Sequence, residues 1–268
     1  MIDLHCHVLP GIDDGPSTTA SSIALARAAA EVGVRRIVAT PHVSTRYPNE
    51  ADSIARLVEE VAFALTREGV KVGVQAGAEI ALEHIPEIPS EELASLGLGG
   101  GEWLLVEPPF GPLVPSLGDT VTALQQAGHK VVLAHPERCP TFHRDPAMLE
   151  RLVRSGVLTS VTAGALVGRF GKDVRHFALD MAAAKLIHNV ASDAHDAKRR
   201  RPGLREEIEH AGLGDLMEWL TQEVPAAILG GDDIPPRPRS TPGGSGRRRV
   251  RWRREGQSKP VSRWPQRI

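Results

Sequence analysis

The chain has 268 residues, 41% of them hydrophobic and 24% charged, a balance that suits one α/β barrel or two small domains. No apolar run approaches the roughly 20 residues needed to span a bilayer, and the first residues lack the basic stretch and apolar core of a secretory signal. Cys6 and Cys139 are the only cysteines, too few for a disulfide framework, so a reducing cytoplasmic setting is expected.

In chain order, the stretch DLHCHVLPGIDDGP opens the sequence with Asp3, His5, His7, Asp13 and Asp14. His5 and His7 would share one face of a first strand, because alternate strand residues point the same way. The Ala-rich segment 17–32 follows as a helix with a Ser or Thr cap and a stop at Gly33. Short apolar runs at 36–39, 72–74, 103–106, 131–134 and 187–191 read as buried parallel strands. Between them, 51–67 has apolar residues at 54, 57, 58, 61 and 65, the spacing of one helical face. Further helices are predicted over 120–127 and 147–154, ending at Gly128 and Gly156. Repeated strand–helix units with glycine stops indicate a parallel α/β fold, either a barrel or a doubly wound sheet.

The end of the sequence is different. From Arg237 onward there are ten Arg, one Lys and one Glu, a net +10 that leaves −11 on the residues before it. The segment 237–268 is therefore predicted to be a disordered basic tail following a body of residues 1–236. It is either a solvated extension or an electrostatic tether to an anionic membrane or acidic partner, with Trp252 and Trp264 as apolar contacts. No nucleic-acid partner is expected.

The chemistry gathers at predicted strand ends: His42 in ATPHV, Glu79 in AGAEI, Glu107 in LLVEPP, His135 in LAHPER, then Asp193 and His195 in ASDAH. Strand C-termini of a parallel barrel converge on one face, where active sites are built. One polar strand end is ordinary, but six such segments, counting the first, call for a common cause. Imidazoles mixed with carboxylates suit Mn, Zn or Fe rather than a structural zinc site. The donors exceed the needs of one ion and would saturate two or three, the arrangement that phosphoester hydrolysis uses. Arg138, three residues after His135, would reach a phosphate, and the run Arg199–Arg201 offers a second contact. His84, His129, His143, His176, His188 and His210 fall away from the strand ends and are expected to be structural or exposed, His143 being the strongest exception. A cysteine phosphatase needs an arginine six residues after its thiolate. Ile12 and Asp145 occupy those positions, which disfavours that mechanism. No Gly-rich nucleotide loop is present, and no organic cofactor is expected.

The ordered set DxHxH, TPH, GAE, a strand ending in Glu, AHPER and SDAH resembles the PHP (polymerase and histidinol phosphatase) superfamily. The longer forms DLHCHVLPGIDDGP, ATPH, AGAEI and AHPER are similar to its bacterial manganese-dependent protein tyrosine phosphatases of the capsular-polysaccharide type. The resemblance covers residues 1 to about 236 and implies a distorted (β/α)7 TIM-like barrel with a three-metal centre. Matched position by position, it implies that His5, His7, Glu79 and Asp193 hold one Mn²⁺, with Glu79, Glu107 and His135 on a second. Asp14, His42 and His195 would hold a third. It implies Arg138 and Arg200 as phosphate-binding catalytic residues, and a metal-bridging hydroxide as the nucleophile. The implied substrate is phosphotyrosine on a bacterial tyrosine autokinase that controls capsule or exopolysaccharide synthesis. Asp3 and Asp13 are placed behind the ligands, Asp3 as the partner that orients a ligand histidine. Two alternatives stand beside this: a PHP phosphatase of a small phosphomonoester such as histidinol phosphate, and a non-catalytic barrel acting through its basic tail. Pro108-Pro109 after Glu107 and the sequence RRRPGL after SDAH depart from the family pattern, the latter leaving Arg199, Arg200 and Arg201 in competition.

Overall fold

The computed structural model describes residues 1–111 and 117–239. Its strands are β1 (Ile2–Cys6), β2 (Arg36–Ala39), β3 (His42–Val43), β4 (Gly73–Ala76), β5 (Glu79–Ala81), β6 (Trp103–Glu107), β7 (Lys130–Ala134), β8 (Leu158–Thr162) and β9 (Asn189–Ala191). All pairings are parallel, in two ladders ordered β1-β2-β4 and β3-β5-β6-β7-β8-β9.

The two ladders are one barrel. β2 and β3 form a single path broken at Thr40-Pro41, where proline cannot donate to a ladder. β4 and β5 form another, broken at Gly77-Ala78. A Cβ at Gly77 would lie 2.8 Å from Val38 Cγ1, so only glycine lets the broken strands pass this closely. The ring closes where Asp193 N–H donates to His5 O (2.8 Å) and His7 N–H to Ala194 O (2.9 Å). Among the described residues this makes seven strand paths, a distorted (β/α)7 barrel.

The strands form where the sequence offers short β-branched and leucine runs that are buried on both faces, as in Val131–Ala134 and Leu104–Val106. Around them pack amphipathic helices. Thr18 caps Thr19–Glu31 by accepting from Ser21 N, and Ala51–Arg67 buries Ile54, Val58, Val61 and Leu65. Asp145 caps Pro146–Arg154 by accepting from Met148 N, with Pro146 in the first turn.

The predicted elements and the observed ones differ in several places. Leu117–Gln126 starts earlier than the predicted helix, and the strand expected over 187–191 begins only at Asn189. β8 (LTSVT) was not anticipated, because Thr159, Ser160 and Thr162 interrupt the apolar run by which the other strands are recognised. Its hydroxyls are satisfied inside the barrel, Thr159 by Leu186 O and Ser160 by Asn189 Oδ1. The expected boundary at 236 falls within packed chain. Trp219 Nε1 donates to Pro235 O (3.0 Å), and Arg237 lies over the Trp219 ring while donating to Ile187 O (3.2 Å). Residues 240–268, on which the expectation of a disordered tail falls, lie outside the described residues.

Candidate metal centre

Barrel topology brings together all nine predicted donors. β1 supplies His5 and, just past its end, His7; β3 opens with His42 and β5 with Glu79, which pair in register. Glu107 ends β6 and pairs with Ala81, two residues beyond Glu79 along the barrel axis. His135 follows β7, and Asp193 and His195 follow β9. Asp14 arrives on the loop that turns after β1.

His135 and Asp193 both take left-handed backbone conformations, with φ of 30° and 50°. Such angles are uncommon for side chains with a Cβ and concentrate at functional sites. Here hydrogen bonds impose them: His135 N–H donates to Ser160 O (2.8 Å), Arg138 N–H to His135 O (2.9 Å), and Asp193 N–H to His5 O (2.8 Å).

The donor atoms converge in overlapping groups. His5 Nε2 and His7 Nε2 lie 3.3 Å apart, 3.1 and 3.2 Å from Glu79 Oε2, and each 3.6 Å from Asp193 Oδ1. His135 Nε2 is 2.7 Å from Glu79 Oε1 and 3.6 Å from Glu107 Oε1. His195 Nε2 and His42 Nε2 lie 3.2 and 3.5 Å from Asp14 Oδ1. His42 also turns Nδ1 toward Glu79 Oε2 (3.1 Å), so it stands between the second group and the third.

These spacings fit cations. With metal–ligand bonds of ~2.1 Å, neighbouring donors sit ~3.4 Å apart in a tetrahedron and ~3.0 Å apart in an octahedron. The pairing of the donors fits as well. Glu79 Oε2 and His195 Nε2 are buried without a properly directed hydrogen bond, although complementary atoms lie 3.1 to 3.2 Å away. Atoms that crowd one another without pointing at one another are aimed at a point between them.

The electrostatics carry the same signature. Burial would depress the His7 imidazole, but the Asp13 and Glu79 carboxylates beside it raise the pKa to about 10. Burial, helped by the charge of Arg138, lowers His135 to about 4; burial and the charge of His7 lower His195 to about 4. Burial opposes ionisation of Glu79, yet the surrounding His5 and His135 hold it well below the usual range. Burial and the charge of Glu79 push Glu107 well above it. Perturbed groups of both signs in one place mark a functional site.

Of the two supporting aspartates, Asp13 rather than Asp3 orients a histidine ring. Asp3 does not orient a histidine ring. Its carboxylate accepts Ser192 Oγ–H (2.5 Å) and Ser192 N–H (2.9 Å), and His5 N–H more weakly (3.4 Å), which fastens the Ser192–Ala194 turn to β1. Asp13 is the residue that orients the ring: its Oδ2 accepts His7 Nδ1–H (2.7 Å) and His42 N–H (3.1 Å). Aspartate spacing cannot separate these roles, because Asp3 meets Ser192 only when the barrel closes.

Arg138 and Arg200 both reach the centre. Arg138 Nη1 lies 2.9 Å from Asp193 Oδ2 and Arg200 Nη2 lies 2.8 Å from Asp193 Oδ1. Asp196 accepts the main-chain N–H groups of Lys198, Arg199 and Arg200, curling the loop so that Arg200 faces inward. Arg201 pairs with Glu206 instead. His143 donates to Glu137 O (2.6 Å) and so braces the HPER turn without joining the donors. Cys6 and Cys139 are fully buried thiols whose pKa burial raises, which suits neither to nucleophilic attack. Sequence spacing missed Tyr47, Phe110 and Phe170, whose rings lie against His42, His135 and Arg138; stacking leaves no periodic trace.

The family described as capsular polysaccharide synthesis, CpsB/CapC, matches residues 1–214. The chain belongs to the CpsB/CapC family. Tyrosine-protein phosphatase YwqE of Bacillus subtilis is 34% identical over 244 residues, 89% of this chain and 96% of that protein. The putative tyrosine-protein phosphatase CapC of Staphylococcus aureus is 31% identical over 75% of this chain and 79% of its own. A solved structure from the pair YwqE of Bacillus subtilis and CpsB of Streptococcus pneumoniae, described as unique metal-dependent tyrosine phosphatases, superposes with a TM-score of 0.78. It is 33% identical and covers 90% of this chain and 100% of that one. The dihydropyrimidinase of Brevibacillus agri, 13% identical with a TM-score of 0.51, covers 85% of this chain and 70% of its own and shares the fold alone.

Proposed function

We propose that this CpsB/CapC chain is a metal-dependent protein tyrosine phosphatase of capsule or exopolysaccharide synthesis. The observation that carries the reading is the convergence of nine His, Asp and Glu donors at one barrel end, with Arg138 and Arg200 both on Asp193. His5, His7, Glu79 and Asp193 would hold one ion, Glu79, Glu107 and His135 a second, and Asp14, His42 and His195 a third. The mixed imidazole–carboxylate donors favour Mn²⁺ and also suit Zn²⁺ or Fe²⁺. Bound there, such ions supply Lewis acidity and a nucleophile from water at neutral pH.

The protein's own contribution is position. Asp13 holds the His7 ring and the His42 main chain, so two donors are set before any ligand arrives. Asp3 and Ser192 fix the turn that presents Asp193. The two guanidinium groups offer planar, charge-assisted donors to phosphate oxygens, a geometry that lysine would not reproduce. No helix among the described residues is long and apolar enough to cross a membrane. A cytoplasmic enzyme acting on the phosphotyrosines of a bacterial tyrosine kinase fits that reading and the two reduced cysteines.

The test is turnover of a phosphotyrosyl peptide against histidinol phosphate with Mn²⁺ added. The expected result is preference for the peptide, abolished by Glu107→Gln and by His135→Ala. Preference for histidinol phosphate would move the substrate to a small phosphomonoester, and turnover unchanged in both variants would remove the catalytic reading.

A further inference from the structure

We propose that Tyr47 and Phe110 form an aryl-recognition element at the mouth of the centre, selecting phosphate esters of phenols over those of alkyl alcohols. This rests on the phosphatase reading above and deepens it.

The two rings occupy corresponding positions. Tyr47, the only tyrosine in the chain, stacks on His42 with centroids 5.6 Å apart and planes 12° apart. Phe110 stacks on His135 at 5.6 Å and 20°. Those two histidines flank the same carboxylates. His42 Nδ1 faces Glu79 Oε2 (3.1 Å) and Glu107 Oε2 (3.8 Å), and His135 Nε2 faces Glu79 Oε1 (2.7 Å) and Glu107 Oε1 (3.6 Å). One aromatic ring therefore stacks on the histidine at each side of the Glu79–Glu107 pair.

Phe110 is only half used by the protein. Arg138 Cζ lies 5.0 Å from its centroid, yet the side chain is 47% exposed. Among the described residues Phe63, Phe110 and Val167 are the exposed large hydrophobics, and of these Phe110 alone packs on a donor histidine. On the Tyr47 side a cavity of about 400 Å³ opens beside the centre, lined by His42, Ser44, Tyr47, Ala81, Glu83 and Glu107 among others. That volume is in the range of small-ligand sites. Arg138 bonds Asp193 and lies against Phe110, so an ester whose phosphate Arg138 held would carry its next group beside that ring. A phenol ring there gains stacking or edge contacts with Tyr47 or Phe110, and an alkyl group does not. Such an aromatic contact is worth roughly three- to tenfold in affinity.

The experiment uses the full chain loaded with Mn²⁺, as wild type, Phe110→Leu, Tyr47→Leu and the double variant. Turnover is measured on phosphotyrosyl and phosphoseryl forms of one peptide, and binding of phenylphosphonate and ethylphosphonate by calorimetry. The expected result is a three- to tenfold fall in the aryl-to-alkyl ratio of kcat/KM for each leucine variant, mostly through KM. The phosphonate preference should fall alongside, and Phe110→Tyr and Tyr47→Phe should retain both. A ratio unchanged in turnover and in binding overturns the proposal; if both substrates lose equally, Phe110 serves only to support Arg138. Wild type that turns over neither peptide but binds phenylphosphonate preferentially, with the preference lost in the leucine variants, refutes the phosphatase reading and leaves the aryl site standing.

Discussion

Both ends of the barrel hold sequestered histidines, in opposite company. At the strand C-termini His5, His7, His42, His135 and His195 face Asp13, Asp14, Glu79, Glu107 and Asp193. At the other end His188 begins the path into β9 and meets an amide, the Trp219 ring and the charge of Arg237. Thr159 N–H donates to His188 Nδ1 (3.2 Å), which fixes that nitrogen as an acceptor. A histidine among carboxylates is poised to share a cation; one among an amide, an indole and a guanidinium is poised only to stay neutral. Company, more than burial, separates a ligand from a structural residue.

The severest way to break that contrast is to neutralise the carboxylate that the donors share. Glu79 touches four of the five histidines, so Glu79→Gln should remove most bound metal and lower turnover by on the order of a thousandfold or more. Metal content by emission spectrometry, read beside turnover, checks this. Full metal content with normal turnover would leave the converging carboxylates without a role. Asp14 serves only the outer group and its side chain is 35% exposed, against 1% for Glu79. Asp14→Asn should therefore cost at most one ion per chain and roughly ten- to a hundredfold in rate. Equal losses in the two variants would erase the distinction between an enclosed inner site and an open outer one.

The convergence of the candidate donors was legible in the sequence because parallel α/β chemistry repeats at strand ends. Six segments ending in His, Asp or Glu state where the chain must converge, whatever the loops do between them. β6 and β7 were legible for the same reason, as short apolar runs. β8 was not, because its Thr and Ser hydroxyls find partners only across the finished barrel. The broken strands were hidden too, since Pro41 and Gly77 read as ends and not as interruptions. The left-handed backbones of His135 and Asp193 follow from bonds to Ser160 and His5, residues far away in sequence. Roles that depend on one local segment could be read in advance, and roles that depend on closure could not.

Asp3 and Asp13 sharpen the comparison at smaller scale. Asp13 bonds a donor ring, so Asp13→Asn should weaken metal affinity about ten- to a hundredfold with little change in the melting temperature of the apo-protein. Asp3 bonds the Ser192 turn, so Asp3→Ala should cost about 1 to 3 kcal/mol of stability by stranding a buried amide. Metal titrations and denaturant melts on both variants separate the two. If Asp3→Ala weakened metal binding as much as Asp13→Asn while leaving the melt unchanged, the assignment of the two aspartates would have to be reversed.

The narrowest effect, confined to acid pH, concerns the other end of the barrel. Burial, aided by Arg237, lowers His188 to about 4, below the ordinary histidine value near 6.5. Between those values the unfolded chain binds a proton at this position and the folded chain does not. Stability is therefore full above about pH 6.5 and is lost as pH falls toward 4. The size is on the order of 2 to 3 kcal/mol for a largely buried imidazole. His188→Gln keeps an acceptor for Thr159 N–H but cannot titrate, so it should flatten this part of the pH–stability curve. His135 and His195, lowered to about 4, also titrate in acid, so the informative quantity is the difference between variant and wild type in denaturant melts from pH 4 to 8. A difference that moves by about 2 to 3 kcal/mol in the variant's favour as pH falls places the proton on His188. A difference that stays constant with pH would mean that the acid sensitivity belongs to the donor end alone.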